Sequence, residues 1–335
     1  MKLSRKISAL LLGIFLCSSL WGQEDHDTTY IWDRREQLHT SIFLENKSHF
    51  IFFNPVSTND LLLRTNNAIL NPGIQATYHW LNIRVKIPMD SWQVNTESRG
   101  PTTNYAAAVG VTGRNWWART YYEYNKGYFS EDVIYKGTLF KLPNLRTHQF
   151  NINGYYAFNG KKYSHRHTLW QSEDQLKSAG TFLIGGSLSG EWIYNDSLII
   201  PAQFQGEFGT IEDVRDIYFV TPAFHAGYAY TYVPFPGWSI TAYLAPGMGA
   251  YFGEYKNEEE QYVPVTSSFA LLGEFNGLLA YSAQTWYANV SFSQYGSYKV
   301  LRGESNWLNV QSYIRFGFGY RFNLPQKSWL EPVGL

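Results

Sequence analysis

The segment Tyr313–Phe322 constrains the fold of this chain more than any other. Alternate residues read Ile314, Phe316, Phe318, Tyr320 and Phe322, and the intervening ones read Tyr313, Arg315, Gly317, Gly319 and Arg321. Strand side chains alternate between two faces. One face is therefore a continuous apolar-aromatic band, and the other carries arginines and glycines. A water-soluble sheet would bury the band in a core. A membrane barrel would turn it to lipid and let the arginines face the lumen.

The N-terminal residues bear on that choice. Residues 1–22 read as a cleaved secretory signal, with Lys2, Arg5 and Lys6 ahead of the apolar run Ile7–Leu16 and small residues at Ser18, Ser19 and Gly22. The run is too short for a membrane anchor and has no stop-transfer charges behind it. Cys17 does not mark a lipoprotein, because Leu16 precedes it where a small residue is wanted. It is the single cysteine, so disulfides and thiolate metal sites leave with the signal. Losing Lys2, Arg5 and Lys6 from 27 basic residues set against 27 acidic ones gives a net charge of −3. That balance argues against nucleic acid as a partner. No later segment approaches 18 consecutive apolar residues, so no membrane helix is expected.

Alternation recurs along the chain. The 26 Tyr, 22 Phe, 12 Trp and 28 Gly suit half-buried pleated surfaces and the aromatic girdles of a membrane barrel. Strand-like stretches run from Leu38–Leu44 and Phe50–Phe53 through Ile74–Trp80, Ile83–Ile87, Tyr105–Val111, Trp116–Tyr124 and Phe150–Phe158. Asn159-Gly160 then reads as a turn into a strand at Tyr163–Gln171. Further strands follow at Ala179–Trp192, Phe224–Tyr232, Trp238–Leu244, Ser268–Leu279, Trp286–Phe292 and Tyr313–Phe322, with a turn at Pro234-Phe235-Pro236-Gly237. Longer polar segments cover 89–102, 126–146, 195–215, 254–265 and 295–306, and Ile211–Ile217 hints weakly at a helix. No propeller repeat is present. The fold expected is all-β, a closed antiparallel transmembrane barrel of about 12 strands within a range of 10–14. The parity of long and short connections does not close, so one strand is mis-split or missed. The division expected is a signal at 1–22, a periplasmic lead-in at 23–36, the barrel at 37–323 and a C-terminal tail at 324–335.

The stretch Tyr155–Gly186 carries Tyr-x-Phe-Asn-x-Lys-Lys-Tyr-Ser, then Gln-x-x-x-Gln-x-Lys-Ser-Ala-Gly-Thr. Together with Asn71-Pro72-Gly73-Ile74 and Lys136-Gly137, it resembles a family of Bacteroidota outer-membrane proteins described as domain of unknown function 4421. The resemblance implies an outer-membrane β-barrel. It implies no activity, and no catalytic residue carries over from it.

Ser164, His165, Arg166 and His167 form the densest group of chemically capable side chains. A Ser/His pair near the membrane interface would suit a lipid hydrolase. On a strand, however, Ser164 and His165 would point to opposite faces. His165 and His167 would share a face, as metal ligands must, but no carboxylate stands at useful spacing. The plain alternative is a basic, hydrogen-bonding wall near a turn. Lys161, Lys162, Arg166 and Lys177 could meet lipopolysaccharide phosphate or simply be solvated. Arg84, Lys86, Arg119, Glu123, Arg315 and Arg321 fall on the non-aromatic faces and are expected to face the lumen, because Arg or Lys at the bilayer midplane costs about 2–4 kcal/mol. Glu258-Glu259-Glu260 with Glu254 reads as a solvated loop without a calcium pattern. No phosphate loop, nucleophile elbow or zinc-protease motif occurs, and no cofactor is implied.

Three readings stay open. The first is an outer-membrane pore, small-solute transporter or structural envelope component. The second is an outer-membrane enzyme acting on lipid or lipopolysaccharide. The third is a soluble secreted β-protein. The partners expected of a barrel are outer-membrane lipid and lipopolysaccharide, with a periplasmic or envelope protein conceivable at the tail, since Asn323–Leu335 runs past the closing aromatic residue.

Overall fold

Alternation of exposed apolar and buried polar side chains runs through nearly every strand and builds a closed antiparallel transmembrane β-barrel. The computed structural model describes residues 26–54, 61–65, 70–89, 97, 100–130, 140–200, 213–257, 259–300 and 306–324. The signal segment, Lys136-Gly137 and residues 325–335 lie outside them.

The strands are β1 (Ile31–Asp33), β2 (Gln37–Asn54), β3 (Leu61–Thr65), β4 (Leu70–Tyr78), β5 (Leu81–Lys86), β6 (Thr103–Thr112), β7 (Trp116–Ser130), β8 (Phe140–Ala157), β9 (Glu173–Gln175), β10 (Ala179–Tyr194), β11 (Val214–Tyr232), β12 (Trp238–Asn257), β13 (Tyr262–Ser282), β14 (Trp286–Val300) and β15 (Asn306–Asn323), with one short helix, α1 (His165–Trp170). Twelve of them form the wall in the order β2, β4, β5, β6, β7, β8, β10, β11, β12, β13, β14, β15. The wall closes where β15 pairs with β2 from Gln37↔Asn323 to Asn54↔Asn306.

Two of the expected strands are corrected, and both corrections repair the parity. Leu38–Leu44 and Phe50–Phe53 are one continuous strand, β2. Tyr163–Gln171 is not a strand; it contains α1. Residues from Val214 onward belong to β11 and not to a helix, since Ile217 and Phe219 alternate inward against β12. The polar segments at 126–146, 195–215, 254–265 and 295–306 are shorter than expected, because the strands run on into them. Glu254, placed in an acidic loop, pairs with Pro264 across β12 and β13. Pro234-Phe235-Pro236-Gly237 is a turn, with Gly237 at φ 81° after a proline and the Trp238 amide donating to the Phe235 carbonyl at 3.0 Å.

The strands β4, β5 and β6 are short, and the wall narrows beyond them. β3 pairs with the far half of β2 through Phe50↔Arg64 to Phe53↔Leu61, then with β7 at Arg64↔Phe129 and Thr65↔Tyr128. A bulge at Gly127, whose φ is 89°, shifts the register of β7 and carries it from β6 to β3. The wall is thus twelve strands around at the end bearing the short turns and both barrel termini, and ten at the end bearing the long loops.

The outer surface is a belt. Along β12 the exposed residues are Trp238, Ile240, Leu244, Met248 and Phe252, and along β10 they are Phe182, Ile184, Leu188 and Trp192. Aromatic residues mark both rims and aliphatic ones lie between, as at the two interfaces of a bilayer. From Phe182 to Trp192 the belt is about 25 Å tall, at the usual ~3.3 Å per residue and ~40° tilt. On β15, Phe316 and Phe318 are each 52% exposed while Arg321 is 2% exposed. The closing strand therefore turns its aromatic band outward.

Candidate functional site: a plugged, ion-braced lumen

Adjacent strands of the wall send alternate side chains into a narrow interior. The residues meeting there are polar in the middle and apolar at the long-loop end. Ascending β2 from the short-turn end passes His39, Ser41 and Phe43, then Glu45 and Lys47, then His49 and Ile51. Four layers follow in that order: a plug, a chamber, an ion ladder and an apolar cap.

The plug is the one long connection at the short-turn end, residues 158–178. The side chain of Asn159 donates to the Gly180 carbonyl at 2.9 Å and turns the chain inward. Ser164 caps α1, its Oγ accepting the His167 amide at 2.9 Å. Gln171 ends the helix in the left-handed region at φ 57°. β9 then pairs with β1 through Ile31↔Gln175, Trp32↔Asp174 and Asp33↔Glu173, so the lead-in is folded into the same plug. Lys162 and Lys177 sit over the Tyr30 ring at 5.0 and 5.3 Å.

Two carboxylates clasp the plug to the wall. Glu173 is fully buried and accepts from Arg114 Nη1 and Nη2 at 2.9 Å each, from Arg166 Nη1 at 2.9 Å and from Ser164 Oγ at 2.6 Å. Asp174 accepts from Arg34 Nε and Ser282 Oγ at 2.5 Å each and from Arg321 Nη2 at 3.2 Å. Burial alone would raise the Glu173 pKa; the Arg114 and Arg166 guanidiniums outweigh it and hold the carboxyl well below the usual range. The group singled out as chemically capable lies wholly within this plug. His165 stacks on Trp117 at 4.8 Å and is hydrogen-bonded through Nε2 to Thr112 at 2.5 Å. His167 donates from Nδ1 to the Glu173 carbonyl at 3.1 Å, so its Nε2 accepts from Ser239 Oγ at 2.7 Å. Burial pushes both histidines below their ordinary pKa. The expected separation of Ser164 from His165 on opposite strand faces is replaced by helix geometry, with Ser164 turned to Glu173. Arg166 is 1% exposed and so belongs to no solvated basic patch. Among the described residues, no group of three or more His, Cys, Asp or Glu side chains is placed to hold a metal.

The ion ladder crosses the barrel between distant strands. Glu123 on β7 is fully buried between Lys47 on β2 and Lys86 on β5, the latter at 3.4 Å. Lys86 also reaches Glu45 at 2.9 Å, and Arg315 donates to Glu45 from Nε at 3.0 Å. Arg119 meets Glu274 on β13 at 2.9 Å, right across the lumen. Lys299 on β14 pairs with Glu191 on β10, whose other oxygen accepts from Asn309 at 2.6 Å. Arg84 donates twice to Gln75 Oε1, at 2.9 and 2.7 Å. Lys47, Glu45, Glu191 and Glu274 had no distinguishing mark in the sequence. Only their inward parity could have found them, because the charges that meet them, Glu123, Arg315, Lys299 and Arg119, stand on other strands.

Beyond the ladder the interior is apolar. Phe219 on β11 packs edge-on against Tyr251 at 5.5 Å and against Trp307 on β15 at 5.6 Å, with Ile193, Ile199 and Ile200 beside them. Between plug and ladder lies a chamber of about 150 Å³, lined by Arg84, Arg119, Arg315, Trp170 and several amides.

A family model described as a domain of unknown function (DUF4421) matches residues 25–322. The chain belongs to this family. Its members' name states no activity. The match spans the plug as well as the barrel, so the inserted clasp lies inside the family's own boundaries. No curated protein matches the chain. Among solved structures, the outer membrane protease OmpT of Escherichia coli is similar at 10% identity and a TM-score of 0.38, over 87% of this chain and 98% of that one. A bacterial polysaccharide outer membrane secretin is similar at 10% identity and a TM-score of 0.34, over 87% and 100%. The Pseudomonas putida toluene transporter TodX is similar at 7% identity and a TM-score of 0.30, over 86% and 91%. At such values none of their activities transfers to this chain.

Proposed function

We propose that the protein is an integral outer-membrane β-barrel that keeps its lumen closed and serves as a structural component of the envelope. The observation that carries this is the filling of the interior at both ends: the Glu173–Asp174 clasp at one and the Phe219–Trp307 packing at the other. The belt of outward apolar side chains supports the membrane setting, and the short-turn end would face the periplasm. Its neighbours are then outer-membrane lipid and lipopolysaccharide. A gated small-solute transporter is the second reading, favoured by the polar chamber behind a plug held largely by ion pairs. A lipid-modifying role for Ser164, His165 and His167 has no such support, since these side chains are buried in the plug and away from lipid.

Fractionation and planar-bilayer recording test the proposal together. The folded protein is expected in the outer-membrane fraction with heat-modifiable migration. In bilayers it should show no steady open conductance. Recovery as a soluble protein, or stable open channels from wild-type barrels, would overturn it.

A further inference from the structure

We infer that the lumenal chamber binds one small oxyanion, a carboxylate or a phosphate, with Arg84 as its anchor. This rests on the closed lumen but not on the envelope role. Five inward cations of the middle layers, Lys47, Lys86, Lys299, Arg119 and Arg315, each contact a carboxylate. Only four carboxylates serve them: Glu45, Glu123, Glu191 and Glu274. Arg84 is the sixth cation and has no carboxylate among the described residues. Its two hydrogen bonds both go to the neutral Gln75 amide and its guanidinium lies over the Phe43 ring at 6.0 Å, which leaves Nη1 without a hydrogen-bond acceptor among the described residues. Among the described residues, the middle of the barrel therefore holds two more positive charges than negative ones.

The surplus faces the chamber, where Arg119 and Arg315 keep 28% and 18% of their side-chain surface. Arg84 lies between Ile83 and Val85, which face outward, and its own side chain lines the chamber. Arg119 and Arg315 line the same space, each with one side committed to its carboxylate and nitrogens left over. In so confined a space a few waters solvate charge less well than bulk solvent does, and a counter-ion removes the remaining cost. Guanidinium groups match the planar, multi-oxygen geometry of carboxylate and phosphate. Asn82, Ser41 and Asn289 on the same walls add neutral hydrogen-bonding groups. The chamber is roomy enough for several waters, and hence for a small oxyanion in their place.

The test is equilibrium urea unfolding of the full barrel, titrated with inorganic phosphate at constant ionic strength made up with sodium chloride. Wild-type stability should rise with phosphate. Above its dissociation constant, each tenfold increase should add about 1.4 kcal/mol to the unfolding free energy. Gln75→Glu supplies the missing carboxylate in nearly the same shape. It should raise stability without phosphate and flatten the phosphate response. Arg84→Gln should also flatten it, whereas Arg215→Gln, at the long-loop end, should leave it unchanged. A wild-type barrel indifferent both to phosphate and to acetate in its place, or a Gln75→Glu barrel that responds as the wild type does, would overturn the assignment. Bilayer conductance reads the closed lumen separately, so the two can fail independently.

Discussion

Replacing Glu173 with alanine is expected to release the plug and to destabilise the barrel by about 3–5 kcal/mol, the range for breaking a buried ion pair from one side. The size follows from what is left behind. Arg114 and Arg166 are 8% and 1% exposed at their side chains, and Glu173 is their shared counter-charge. Its loss strands two guanidiniums in a dry interior and frees the Ser164 hydroxyl that caps α1. Three readouts should move together: a lower urea midpoint for the heat-modifiable form, protease cleavage within residues 158–178, and intermittent conductance. Unchanged protease resistance would show that β1 and Trp170 hold the insert without the clasp. The pH dependence has a definite sign. Both plug histidines are neutral when docked, with pKa values below the ordinary 6.5. The undocked chain therefore binds protons that the docked one refuses, and docking weakens as pH falls below about 6.5. Glu173 adds the same sign lower down, since its folded pKa is depressed and its stabilisation fades as pH falls below the usual carboxyl range. Protease access to the insert should increase from pH 7.5 to pH 5.

The barrel was legible because its signal is periodic, and the plug was not because its signal is aperiodic. In β15, β10 and β12, lipid and lumen sort the side chains residue by residue, so alternation reports the fold directly. The insert obeys no such sorting. Tyr163, His165, His167 and Leu169 alternate with Ser164, Arg166 and Thr168 and so imitate a strand, yet Ser164 caps a helix and Gln171 stops it. What decides between the two is tertiary: α1 fits under Trp117 and against Glu173, partners drawn from elsewhere in the chain. The same limit applied to the ladder. Arg119 and Glu123 stood out as charges on a strand, but Glu274 and Lys47 are 155 and 76 positions away from them, and only closure of the wall brings them together. The family-like block was visible as a motif. Its physical content, Asn159 turning the chain and Gln175 binding the Ser164 amide at 2.9 Å, is architectural.

Glu123→Ala should destabilise the barrel by a similar ~3–5 kcal/mol, and Glu274→Ala by clearly less, although both remove one carboxylate from one brace. The difference lies in water. Glu123 has no exposed side-chain surface, and Lys47 and Lys86 beside it have 3% each. It also accepts from Tyr121 Oη at 2.5 Å, and that hydroxyl would lose its carboxylate acceptor. Arg119 and Glu274 border the chamber and keep 28% and 12% exposure, so water there can solvate the cation left behind. Double variants separate charge burial from shape. Lys47→Met with Glu123→Leu removes charge from both sides at once and should recover most of the single-variant loss, because well-packed apolar replacements of a buried pair are often neutral or better. Urea unfolding in lipid vesicles, followed by heat-modifiable migration, gives all three losses on one scale. Equal losses for Glu123→Ala and Glu274→Ala would mean that the ladder is as wet as the chamber. The lumen would then be a continuous water path from the plug to the Phe219–Trp307 packing, held shut only by its ends.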